Sequence, residues 1–277
     1  MSQILCSTGA LIGRANGRDY HLLSGFRQKL CCDGFEFMMY SSWYDEKDKI
    51  IEFLRKEDFP IPVMHCEKHI GEKISMGGSE NQSEAFWLFR INCQIAKEIG
   101  AKKLVMHLWD GMTSDGHFEN NLTAYPALRK IADEYGINLL IENVVCLYEN
   151  PMERWCELAA NFPDVCFVFD TKMAAFHEEE EWLYPKEYEW LWKNGHIRHY
   201  HVNDYGGGYK DWEKLKTLPI GMGHFDFSKF FDFIHYIRYD DTFTVEATAF
   251  NQKGEVDFDM LNKCFGQIRN FISPIIQ

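Results

Sequence analysis

The sequence predicts an α/β protein, a (β/α)8 barrel (TIM barrel) forming a single domain over residues 1–277. Three observations carry that prediction. Eight short apolar runs alternate with longer amphipathic ones, and a barrel of this kind typically takes ~250 residues. No composition break or low-complexity linker divides the chain. The alternative, an open doubly wound sheet, needs a glycine-rich phosphate loop after its first strand, and the early stretch GALIGRANG lacks that spacing.

The strands are expected at ILCSTG (4–9), FEFMMY (35–40), IPVMHC (61–66), KLVMHL (103–108), NLLIEN (138–143), VCFVFD (165–170), RHYHVN (198–203) and TFTVEA (242–247). Near-continuous apolar runs of this length suit parallel strands covered on both faces. Between the third and fourth runs, Leu88, Ile91, Ile95 and Ile99 recur at helical spacing, and Gly100 is a stop signal. Residues 120–138 form a second helical pattern that ends on Gly136, just ahead of the fifth strand. Leu261, Cys264, Phe265, Ile268 and Phe271 give the last helix the same period. After the sixth strand Pro185 interrupts any long helix, and Glu178–Glu181 read as a solvated face.

The formal net charge of −13 argues against nucleic acid and anionic membranes as partners. No apolar stretch approaches the ~20 residues of a membrane span. The N-terminus has no basic leader, and the nine cysteines follow no disulfide or zinc pattern. Both point to a cytoplasmic protein with reduced thiols.

The ends of the predicted strands carry the chemistry. The third ends in His65, the fourth in His107, the fifth in Glu142, the sixth in Asp170, the seventh in His201 and the eighth in Glu246. In a barrel these ends converge on one mouth. One histidine there is usually a core residue, and one aspartate is usually a helix cap. Three converging carboxylates are different. A buried unpaired charge costs several kcal/mol, and these would also repel one another. A divalent cation offsets that repulsion. Three carboxylates and an imidazole suit Mn²⁺, Mg²⁺, Co²⁺ or Zn²⁺.

At these residues the chain resembles the xylose isomerase-like (β/α)8 family of sugar and sugar-phosphate isomerases and epimerases, related to the zinc apurinic endonucleases. The motifs are LLIENV, FVFDT, HYHVND, LPIGMGHFDF and FTVEAT, in that order. The resemblance implies one metal ion held by Glu142, Asp170, His201 and Glu246. It further implies that Glu142 and Glu246 are the catalytic acid–base pair, moving a proton beside a metal-bound carbonyl. The family's usual Asp-x-x-His is broken here by Met173. In the endonucleases, histidines at the positions of His65 and His107 hold a second zinc with the strand-five glutamate, so these two are candidates for a second metal or for substrate.

The expected function is therefore a divalent-metal-dependent isomerase or epimerase of a small sugar or sugar phosphate, with no other cofactor and with a homo-oligomer allowed. A keto-inositol-type dehydratase on the same site is the alternative. An apurinic endonuclease-like phosphodiesterase and a non-catalytic sugar-binding relative rank behind it. Trp109, Lys172, Asp204 and Trp212 are candidates for substrate contact. Asp204 and Asn143 could instead orient the ligands, or Asn143 could cap the next helix. Gly206–Gly208 would let the long loop after strand seven move, with Tyr209 and Trp212 closing over a sugar.

Overall fold

The computed structural model describes residues 2–251 and 253–273. Its eight strands follow one another in chain order around a closed barrel. They are β1 (Gln3–Ser7), β2 (Gly34–Met38), β3 (Val63–His65), β4 (Lys103–Met106), β5 (Asn138–Glu142), β6 (Cys166–Asp170), β7 (Ile197–His201) and β8 (Thr242–Val245). Every one falls on a run expected from the sequence. The α-helices are α1 (Leu23–Arg27), α2 (Lys47–Glu57), α3 (His69–Met76), α4 (Ser79–Glu98), α5 (Phe118–Tyr135), α6 (Pro151–Asn161), α7 (Thr171–Phe176), α8 (Trp190–Lys193), α9 (Phe227–Tyr236) and α10 (Phe258–Ile272). Gly100 and Gly136 follow α4 and α5 with φ of 85° and 70°, the left-handed turn that ends a helix. Among the described residues, no helix is long and apolar enough to cross a membrane.

Two compact units are distinguishable, Glu36–Val168 and Met1–Phe35 with Phe169–Gln277. In the first, parallel pairing sets Met38 beside His65, His65 beside Val105, and Glu142 beside Val168. Gly71 lets α3 lie hard against the end of β4, because a Cβ there would overlap the His107 carbonyl oxygen. Asp115 ties the loop after β4 to the loop after β5. Its carboxylate accepts from the amides of Leu147, Tyr148 and Glu149 and from Arg154.

In the second unit β8 pairs with β1 and with β7. Tyr200, Phe230 and Phe243 pack ring against ring behind them. The stretch broken by Pro185 becomes two short α-helices separated by 3-10 turns. Here one expectation is corrected. Glu178 and Glu181 are exposed, but Glu179 is buried. The segment is a reversal rather than a helix face. Glu178 takes a φ of 53°, and the Glu179 amide donates back to the Ala174 carbonyl. Asn143 is not the N-cap of the next helix, since α6 begins at Pro151 after Asn150.

Gly71→Ala should cost about 1–3 kcal/mol through overpacking of backbone against backbone. Urea denaturation measures it, and an unchanged midpoint would show that α3 has room to retreat.

Candidate metal centre

In the unit Glu36–Val168, β3, β4 and β5 deliver His65, His107 and Glu142 to one place. Their ligand atoms lie within 4.8 Å of one another, and all three side chains are buried. His65 Nε2 is 3.3 Å and His107 Nε2 2.9 Å from the same Glu142 oxygen, Oε2.

The far nitrogens fix the tautomers. His65 Nδ1 lies 2.7 Å from the Cys66 carbonyl oxygen, which can only accept. That nitrogen therefore carries the proton. His107 Nδ1 lies 3.0 Å from Asp110 Oδ2. Burial pushes the Asp110 carboxyl up, but His107, Lys68 and the Gly111 amide outweigh it and bring its pKa down to about 2. Asp110 is thus a carboxylate, and His107 Nδ1 also carries its proton. Each ring then turns its Nε2 toward the same carboxylate oxygen. The Glu142 oxygen and the two Nε2 atoms are held together by a proton on a ring or by a cation between them. Burial and Lys68 depress the His107 imidazole, yet Glu142 and Asp110 raise its pKa above the usual value.

The other unit carries Asp170, His201 and Glu246, at the ends of β6 and β7 and just past β8. Their ligand atoms also lie within 4.8 Å of one another. His201 Nδ1 is 3.4 Å from Glu246 Oε2 and 3.9 Å from Asp170 Oδ2. Asp170 does two jobs. Its Oδ1 caps α7, accepting from the amides of Lys172 and Met173 at 2.7 and 3.2 Å, while Oδ2 faces His201. Two carboxylates and an imidazole, buried or nearly so, form a hard-oxygen and nitrogen donor set that fits a divalent cation.

Sequence reasoning missed three residues. Asn203 clasps Glu246 twice: its Oδ1 accepts from the Glu246 amide at 2.8 Å, and its Nδ2 donates to Oε2 at 3.5 Å. Asp110 sets the His107 tautomer. Glu36, buried on β2, has a ligand atom within 4.8 Å of one on His65. The alternation of β2, with Glu36 between Phe35 and Phe37, was a signal available in the sequence.

The substrate-contact candidates fall in different places. Trp109 is fully buried, its indole N–H donating to the Val145 carbonyl and its ring set edgewise against Phe118. It packs the core. Lys172 is buried, with Nζ 3.3 Å from Thr217 Oγ1. Trp212 is half exposed and lies edge-on to Phe176. Asp204 is a loop clamp. Its carboxylate accepts from the amides of Tyr205, Gly221, Gly223 and Phe225. Of the three glycines expected to give motion, Gly207 serves a close approach, while Gly208 has open space around it. A Cβ at Gly207 would overlap the Tyr205 hydroxyl, which donates to the Gly208 carbonyl, and His224 bonds the Gly207 carbonyl.

Comparison with known proteins gives the family and the fold. A family model described as the xylose isomerase-like TIM barrel matches residues 28–264. None of the curated proteins matches the sequence. Among solved structures, a D-tagatose 3-epimerase-like protein is similar, with TM-score 0.70, 16% identity and coverage of 97% of this chain and 96% of that one. The D-allulose 3-epimerase from Methylomonas sp. in complex with D-allulose has TM-score 0.67 at 13% identity, covering 97% and 96%. The IOLI protein, solved with a zinc atom, has TM-score 0.67 at 15% identity, covering 98% and 99%.

The folded pKa of Asp110 lies below that of an unfolded aspartate, about 3.9. Its stabilising contribution is therefore complete above pH ~4 and is lost as pH falls through about 2. Asp110→Asn should be less stable than the parent by up to about 2 kcal/mol at pH 6, with the gap closing in acid. Urea titrations from pH 2 to 6 measure it, and a gap independent of pH contradicts the assignment.

Proposed function

We propose, for a chain that belongs to the xylose isomerase-like TIM barrel family, that it is a divalent-metal-dependent isomerase or epimerase of a small ketose or sugar phosphate, working in the cytoplasm. The observation that carries this reading is the buried gathering of Asp170, His201 and Glu246 at three successive strand ends. Glu142 is proposed to join them as the fourth ligand of one ion. His65 and His107, which face the same Glu142 oxygen, are proposed to serve either a second zinc or the substrate.

A divalent cation at this site would supply positive charge to a sugar carbonyl and its neighbouring hydroxyl, which acidifies the C–H of the hydroxyl-bearing carbon beside the carbonyl. The chain does the rest. One of Glu142 and Glu246 takes the proton from carbon, and the other returns a proton from the opposite face. Asn203 holds Glu246 by backbone and carboxylate together, which fixes the direction in which its free lone pairs point. His107, itself held by Asp110, fixes Glu142. Pre-set geometry of this kind lowers the reorganisation needed at the moment of proton transfer.

Purified protein dialysed against Mn²⁺ and then against buffer should retain a divalent ion by elemental analysis. Glu246→Gln should slow solvent deuterium uptake into a turned-over ketose by about 10²-fold or more, read by NMR. Undiminished exchange would remove Glu246 from the mechanism. A product lighter by one water would change the assignment to a dehydratase.

A further inference from the structure

We infer that Lys172 and Thr217 bind an anionic group of the substrate, so that the enzyme acts on a phosphorylated or carboxylate-bearing ketose rather than on a neutral one. The inference rests on the isomerase reading and names its substrate class. Lys172 is the second residue of α7, two past Asp170, and only 8% exposed. Its amide is fixed by the bond to Asp170 Oδ1. The side chain then runs to Nζ, an ammonium with three donors. Among the described residues, Nζ meets one hydrogen-bond acceptor, the Thr217 hydroxyl at 3.3 Å, and forms no ion pair.

That arrangement is expensive. Lysine is almost never buried without a partner of opposite charge, and a desolvated ammonium costs several kcal/mol when uncompensated. The chain carries 42 acidic residues, yet none pairs with this lysine among the described residues. The missing negative charge is one the ligand can bring.

Position points the same way. Thr217 lies on the long connection between β7 and α9. Its carbonyl accepts from the amide of Thr248 at 3.2 Å, and Thr248 is two residues past Glu246. The ammonium is thus tethered to a segment that is itself bonded beside one proposed metal ligand, while its own backbone is bonded to another. Thr217 accepts from Lys172 and keeps its own hydroxyl proton to donate. Together the pair offers two N–H groups and one O–H to an oxyanion, and such charge-assisted bonds are the strong ones.

Titration calorimetry on the Mn²⁺-loaded protein tests this with D-fructose, D-fructose 6-phosphate, 5-keto-D-gluconate and inorganic phosphate. One anionic ketose should bind at least about tenfold tighter than D-fructose, and comparing the two tells phosphate from carboxylate. Lys172→Met should weaken that ligand on the order of 10–100-fold while changing D-fructose less than about threefold. Lys172→Arg should retain most of the affinity. Should the methionine variant fail to fold, Thr217→Val decides, with a selective loss for the anionic ligand expected. Tightest binding of the neutral sugar overturns the inference. So does an equal loss for both kinds of sugar, which would make Lys172 a counter-charge for Asp170. Lysine-dependent anion binding with no solvent exchange on any ketose would leave this site standing and sink the isomerase reading.

Discussion

Carboxylates and imidazoles gathered in the protein interior are the constraint on which this structure turns. Glu142 receives the Nε2 atoms of two imidazoles whose Nδ1 atoms are held on the far side of each ring. Asp170, His201 and Glu246 make a second such gathering. Each is stabilised by a proton shared between imidazole and carboxylate, or by a cation in its place. The barrel tolerates them because each donor stands on a different strand end, held by parallel hydrogen bonding and by apolar neighbours that do not depend on the site. The strands supply the rigidity, and the gathered donors form a set that a divalent cation would fit.

Each donor is also restrained by a neighbour that takes up part of its hydrogen-bonding capacity. Asp170 gives one oxygen to the first turn of α7 and keeps the other for His201. Glu246 is clasped through its amide and its carboxylate by Asn203. A capping role and a ligand role are therefore not rivals at Asp170. The cap fixes the rotation of the carboxylate, and that rotation aims the second oxygen.

The eight strands and the stop signals at Gly100 and Gly136 were legible because they are local. Apolar run length and glycine after a periodic stretch need no knowledge of the rest of the chain. The polar residues closing the strands were legible for the same reason, since each is an exception inside its own apolar run. What stayed hidden depends on partners distant in sequence or on backbone reversals. Asp110 looks like any loop acid until its oxygen is seen against His107. Asn203 reads as part of a motif without revealing that it grips a residue 43 positions away. Glu179 looked solvated because a run of four glutamates usually is, and only a positive φ at Glu178 carries it inward. Glycines at 206–208 suggested motion, and the sequence does not reveal that the ring hydroxyl of Tyr205 needs the space left by Gly207.

Asp204 gathers four amides, from Tyr205 at one root of the long loop and from Gly221, Gly223 and Phe225 at the other. This carboxylate, with the backbone pairing of Asp204 and Leu218, closes the loop at its base. The exposed residues between, such as Glu213, carry little of that duty, so new side chains there leave the frame intact. Selection can then rewrite what the loop touches one mutation at a time, which makes this segment the natural place for new substrate preferences to arise on an old scaffold.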